Sequence, residues 1–209
     1  MKKIIALLLA LTCVFALAAC GDEPDPTPTP DGGDNNTNTY EDLAPFTAAI
    51  AASNPASASI NVAQTSTQFN VTMNGEYNVV YNEDGSATVE YSYDKYNEIT
   101  DDTTEVTTTV TGTATVDKDG NVTGSLNTTV TAATAIKVTL DGAKLGDYTV
   151  ASGALIAKVA AADTAAVLGV AISADVTLTI TVANGNVATM TISYESTVGP
   201  VEIVCSYNY

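Results

Sequence analysis

Ten tyrosines, three cysteines and 24 acidic side chains carry most of the reactive chemistry in this 209-residue chain, which has no histidine and no tryptophan. All of its basic residues are lysine. Without imidazole there is no Ser-His-Asp or Cys-His nucleophile and no histidine metal site. Without guanidinium there is no bidentate clamp for phosphate. Paired carboxylates do support glycoside hydrolysis, which needs two acids at a set separation. Acids are so plentiful here that no pair stands out, and no tryptophan is present to stack a sugar. The expectation is a protein that is not an enzyme and uses no cofactor.

Two acidic stretches have the oxygen chemistry of calcium ligands. Asp101, Asp102 and Glu105 follow Glu98, and Asp117-Lys118-Asp119-Gly120-Asn121 forms a second group. Neither has EF-hand spacing, because the glycine comes too early, and hairpin turns favour Asp and Gly for their own reasons. The tyrosines at 77, 81, 91, 93 and 96 cluster around one hairpin, and Tyr207 and Tyr209 close the sequence. They read either as an aromatic platform for carbohydrate or lipid, or as cross-strand residues with a wet polar tip. Cys205 alternates with Val201, Ile203 and Tyr207, which predicts a buried, inert thiol.

The remaining cysteines lie in the first 20 residues. Lys2 and Lys3 precede an apolar run from Ile4 to Phe15, and Leu17-Ala18-Ala19-Cys20 ends it. This is the layout of an export signal, and it is too short and too abruptly followed by acid and proline to be a membrane span. Leu17-Ala18-Ala19-Cys20 resembles the lipobox of bacterial lipoproteins. The resemblance implies cleavage before Cys20, a diacylglyceryl group on its thiol, and anchorage to the extracytoplasmic face of a bacterial membrane. Beyond Cys20 the chain keeps 5 lysines against 24 acidic residues, a formal net charge of −19. Such a surface repels nucleic acid and anionic headgroups, so attachment rests on the lipid at Cys20.

Residues 20–41 read as a polar tether. Pro24, Pro26, Pro28 and Pro30 give an extended half, and Gly32-Gly33 with an Asn/Thr tract gives a flexible one. Thr39 to Ser53 reads as a helix, with Thr39 and Asp42 as a weak capping box and Leu43, Phe46 and Ile50 on one stripe. From Ser57 onward the period changes to two. Strands flank Gly-containing turns at Asn82–Gly85, Asp117–Gly120, Asp141-Gly142 and Asn184-Gly185. Strands are expected at Val122 to Val130 and at Ile136 to Leu140 as well. Leu155 to Val170 breaks the alternation, with Leu155, Val159, Ala162, Ala166 and Gly169 near helical spacing, and predicts an apolar helix.

The fold expected over residues 42–209 is therefore α+β: an N-terminal helix, then a strongly bent antiparallel sheet or half-barrel of about ten strands with a late apolar helix. This order of elements resembles the LolA/LppX-like envelope lipoproteins and carriers. That resemblance implies a barrel wrapped around helices, with acyl chains held between them. The chain departs from those carriers in lacking arginine. The first functional reading is a module that holds a lipid between the sheet and the helix at Leu155, Val159, Ala162 and Ala166. The other is a non-catalytic spacer or adhesive surface unit with a filled core.

Overall fold

The computed structural model describes residues 43–96, 107–134 and 138–209. Cys20, the tether and the first residues of the expected N-terminal helix lie outside these, as do Lys137 and the acids at 98, 101, 102 and 105. The described chain opens with α1 (Ala44–Ala52), whose first turn holds Pro45 and whose buried side is Phe46 and Ala49. Proline suits the first turn because the N–H it lacks would have no helical partner there.

Ten strands follow: β1 (Ser57–Ser66), β2 (Val71–Tyr81), β3 (Ala87–Tyr96), β4 (Thr107–Val116), β5 (Val122–Thr123), β6 (Tyr148–Ala151), β7 (Ala154–Val159), β8 (Val176–Ala183), β9 (Asn186–Glu195) and β10 (Pro200–Asn208). They form one antiparallel sheet in the order β5-β4-β3-β2-β1-β10-β9-β8-β7-β6, so the first and last strands pair at its centre. The sheet is barrel-like but open. Turn chemistry sets each hairpin. Asn184 and Gly185 take φ of 53° and 80°, as a type I′ turn requires. Asp117 Oδ1 accepts from the amides of Asp119 and Asn121 at 2.9 and 2.8 Å, which closes the β4–β5 turn.

Register aligns the apolar positions in rows across the strands. One row runs Leu155, Ile180, Met190, Cys205, Ile60, Tyr77, Tyr91 and Gly112. The next runs Tyr148, Ala157, Leu178, Ile192, Ile203, Val62, Gly75, Tyr93 and Val110. These rows line the concave side. The opposite side carries Thr177, Thr179, Thr181, Thr189, Thr191, Asn61, Glu76 and Glu202. This inward-apolar, outward-polar alternation is that of an antiparallel sheet with one face in water.

The α+β expectation is corrected. Among the described residues, helix is confined to α1, α2 (Thr128–Ala133), a 3-10 turn (Ala161–Asp163) and α3 (Thr164–Leu168), and the architecture is a single antiparallel sheet. The long apolar helix over Leu155 to Val170 does not form. Leu155, Ala157 and Val159 point inward on β7 while Ile156 and Lys158 point out, a period of two that alanines at both kinds of position obscured. Gly169 at φ 74° ends α3 after five residues.

Two expected strands also change. The stretch from Val122 to Val130 is a two-residue strand followed by α2, because Gly124 turns at φ 120° and Asn127 Oδ1 accepts from Val130 N at 2.8 Å, a helix cap. Residues 138–140 are irregular, held to α3 by Thr139 N donating to Val167 O at 2.8 Å.

Candidate functional site

The four positions expected to line a lipid cavity are not brought together. Leu155 and Val159 are completely buried in the continuous core. Ala162 and Ala166 are exposed. The helix that motivated this grouping is replaced by strand β7, which carries Leu155 and Val159, and by the 3-10 turn and α3 beyond it, which carry Ala162 and Ala166.

Several tyrosines are structural ties. Tyr81 donates its hydroxyl to Thr134 O, and Tyr207 donates to Ala133 O at 3.4 Å, so both hold the C-terminus of α2. Tyr194 shares a hydrogen bond with Thr129 near its start. Tyr209 OH lies 2.8 Å from Ser53 Oγ and 2.8 Å from Val187 O. Ser53 Oγ in turn donates to Ala49 O at 2.8 Å and accepts from Val187 N at 3.0 Å. Tyr209 thereby fastens α1 to the β8–β9 hairpin. Cys205 is fully buried, and burial pushes its thiol up to about 12. Such a thiol stays protonated and is a poor nucleophile.

The acidic turn also serves its own fold. Asp117 accepts from Asp119 N, Asn121 N and Asn121 Nδ2, and these hydrogen bonds hold its carboxyl below the usual carboxylate range. Among the described residues no three acidic or thiol groups converge as metal ligands. A shallow groove of about 190 Å³ lies on the outer face between Asn61, Asn74, Glu76, Glu202 and Val204. It is smaller than the roughly 300–1,000 Å³ of ordinary ligand pockets.

A different cluster remains. On the concave side, Tyr77, Tyr91 and Tyr93 form a corner between β2, β3 and β4. Ring centroids are 6.3 Å apart for Tyr77–Tyr91 and 5.8 Å for Tyr91–Tyr93, tilted by 36° and 31°. Two glycines make room for them. A Cβ built on Gly75 would stand 2.8 Å from Tyr77 Cε2, and one on Gly112 would stand 2.6 Å from Tyr91 Cζ. The rings therefore lie down over the glycines instead of standing off the sheet, the pairing of aromatic and strand glycine that fills a missing side chain. Burial, then the neighbouring Tyr93 and Tyr91, push Tyr77 OH up to about 12.

Further along the strands this corner is less tightly covered. Tyr91, Tyr93, Val62 and Val110 are only half-buried, whereas Val79, Val89, Ala114 and Val116, which line the same face towards the β3 and β4 hairpins, are buried. Lys95, two residues beyond Tyr93 on the same side of β3, is exposed. Sequence reading named the tyrosines but missed Gly75, Gly112 and Lys95. The available signal was glycine inside a strand pattern, which marks a close approach.

No protein-family model matches this chain, and no curated protein matches it in sequence. Among the described residues no helix is long and apolar enough to cross a membrane.

Proposed function

We propose that this chain is a non-catalytic, extracytoplasmic lipoprotein, tethered through Cys20, whose sheet domain holds an apolar ligand against the tyrosine corner of its concave face. The observation that carries this reading is the pair Tyr91 and Tyr93, only half-buried together with Val62 and Val110, with the Tyr91 ring laid over Gly112. Flat aromatic faces with Val62 and Val110 beside them offer an apolar floor, and each Å² of ligand removed from water is worth about 25 cal/mol. The tyrosine hydroxyls at the rim remain able to face water. The tether at residues 20–41 would give the domain reach from the membrane that supplies such a ligand.

A spacer or adhesive surface unit is the second reading. It is favoured by the complete burial of Leu155 and Val159 in a core without room for a guest at those residues. The two readings separate in native mass spectrometry of the full chain extracted from its own membrane. The binding reading expects a co-purified apolar molecule that Val110→Asp removes while the circular dichroism spectrum is unchanged. A ligand-free wild-type protein, with no added lipid taken up, favours the spacer.

A further inference from the structure

Lysine is scarce in this acidic chain, and most of the described lysines have a partner. Lys118 Nζ lies 2.9 Å from Asp119 Oδ1, and Lys144 Nζ lies 3.1 Å from Asp163 Oδ1. Lys158 Nζ donates to Thr177 Oγ1 at 2.6 Å. Among the described residues Lys95 alone is left, with neither an ion pair nor a hydrogen bond. Its place in the sheet is specific. Tyr91, Tyr93 and Lys95 alternate along one side of β3, opposite Gly112, Val110 and Thr108 of β4. The free ammonium thus stands at the end of the apolar corner, about 13 Å from Tyr91 at roughly 3.3 Å per residue.

Among the described residues, the adjacent carboxylate Asp94 does not compete for it. Asp94 points to the opposite side of the sheet, where Asn74 N and Thr109 Oγ1 donate to it at 3.1 and 3.3 Å.

We infer that the ligand of the tyrosine corner is an amphiphile with a long apolar tail and a singly charged carboxylate head, the tail on Tyr91, Tyr93 and Val110 and the head on Lys95. This rests on the binding reading above. One cation answers one negative charge, and the net charge of −19 beyond Cys20 disfavours heads that carry more. An exposed ion pair of this kind adds only a modest preference, roughly two- to fivefold in affinity, and salt screens it.

The test uses the full chain reconstituted in neutral phosphatidylcholine vesicles at mildly alkaline pH. The vesicles contain either a diazirine-tagged long-chain fatty acid or its matching alcohol. After irradiation, labelled peptides are mapped by mass spectrometry. The expected result is label in residues 91–96 and 107–112 from both probes, roughly two- to fivefold more from the acid. Lys95→Met is expected to erase that difference and to leave labelling by the alcohol unchanged. Equal labelling by both probes, or an acid preference that survives Lys95→Met, would overturn the role of Lys95 while leaving the corner as a binding site. Absence of label from both probes would overturn the binding reading and this inference with it.

Discussion

Replacing Gly112 with alanine would place a methyl group 2.6 Å from Tyr91 Cζ, closer than two carbons can stand, so the ring must lift. The stability change is a balance of two opposed effects. Removing a strand glycine reduces the freedom of the unfolded chain and gains roughly 0.5–1 kcal/mol. Crowding a packed site costs typically 1–3 kcal/mol, here at the lower end because the colliding atoms are the far end of a half-exposed side chain. Gly112→Ala is therefore expected to cost about 0–2 kcal/mol and to keep the fold. Ligand contact should suffer more. A lifted ring no longer offers its face, and an aromatic contact worth about 0.5–1.5 kcal/mol corresponds to a two- to twelvefold loss of affinity. Gly124→Ala supplies the contrast: its methyl would meet Ala114 Cβ at 2.8 Å and Ala114 Cα at 2.9 Å with φ at +120°, so backbone must move and stability should fall further. Urea unfolding followed by circular dichroism gives the first quantity, and labelling by the diazirine alcohol gives the second. A Gly112→Ala protein that loses more than about 3 kcal/mol, or that labels like wild type, would refute the idea that this glycine exists to lay Tyr91 flat.

Cys20→Ala, expressed in a bacterial host, should leave the membrane fraction; a variant that stays there and is cut at the same bond would refute the lipid anchor. Val159→Asp should prevent folding, not merely ligand uptake, since a carboxyl at this fully buried position costs several kcal/mol without a partner; a soluble, strand-rich variant by circular dichroism would contradict the filled core. Alkaline pH should destabilise the fold. The Cys205 thiol is raised from 9.0 to about 12 and the Tyr77 phenol from 10.0 to about 12, so the folded state favours their neutral forms. Their contribution is complete below the unfolded values and declines as pH rises from about 9 towards 12. Urea midpoints measured across that window should fall, and midpoints that stay level would contradict the burial of both groups.

Much of the sheet was legible because two signals agreed. Alternation at Val176 to Val182 and Val187 to Tyr194, with Asn184-Gly185 between them, fixes both period and turn, and β8 and β9 follow. The helix expected at Leu155 to Val170 failed because alanine carries little periodic information. Ala157 faces the core and Ala160, Ala161 and Ala162 lie beyond the strand, so an alanine-rich run satisfies a period of 3.6 as readily as one of two. What decided the outcome was not local: Leu155, Ala157 and Val159 pair with Ile180, Leu178 and Val176, residues more than 15 positions away. Pairing with a distant strand routinely overrides local helical propensity, even that of alanine.

The site was harder to read than the fold for a related reason. Its composition says little, since tyrosine is common in sheets and a strand glycine marks a close approach without naming the partner, and its meaning comes from register. Gly112 lies 21 positions from Tyr91, and only the β3–β4 pairing places them opposite each other. A slip of one residue would turn Tyr91, Tyr93 and Lys95 to the polar side together. The same dependence makes the proposed site sensitive to strand register and indifferent to most of the outer face. Charges on Glu76, Glu90 or Glu202 can change without moving a ring, whereas a bulge beside Tyr91 in the β3–β4 ladder would part that ring from Gly112.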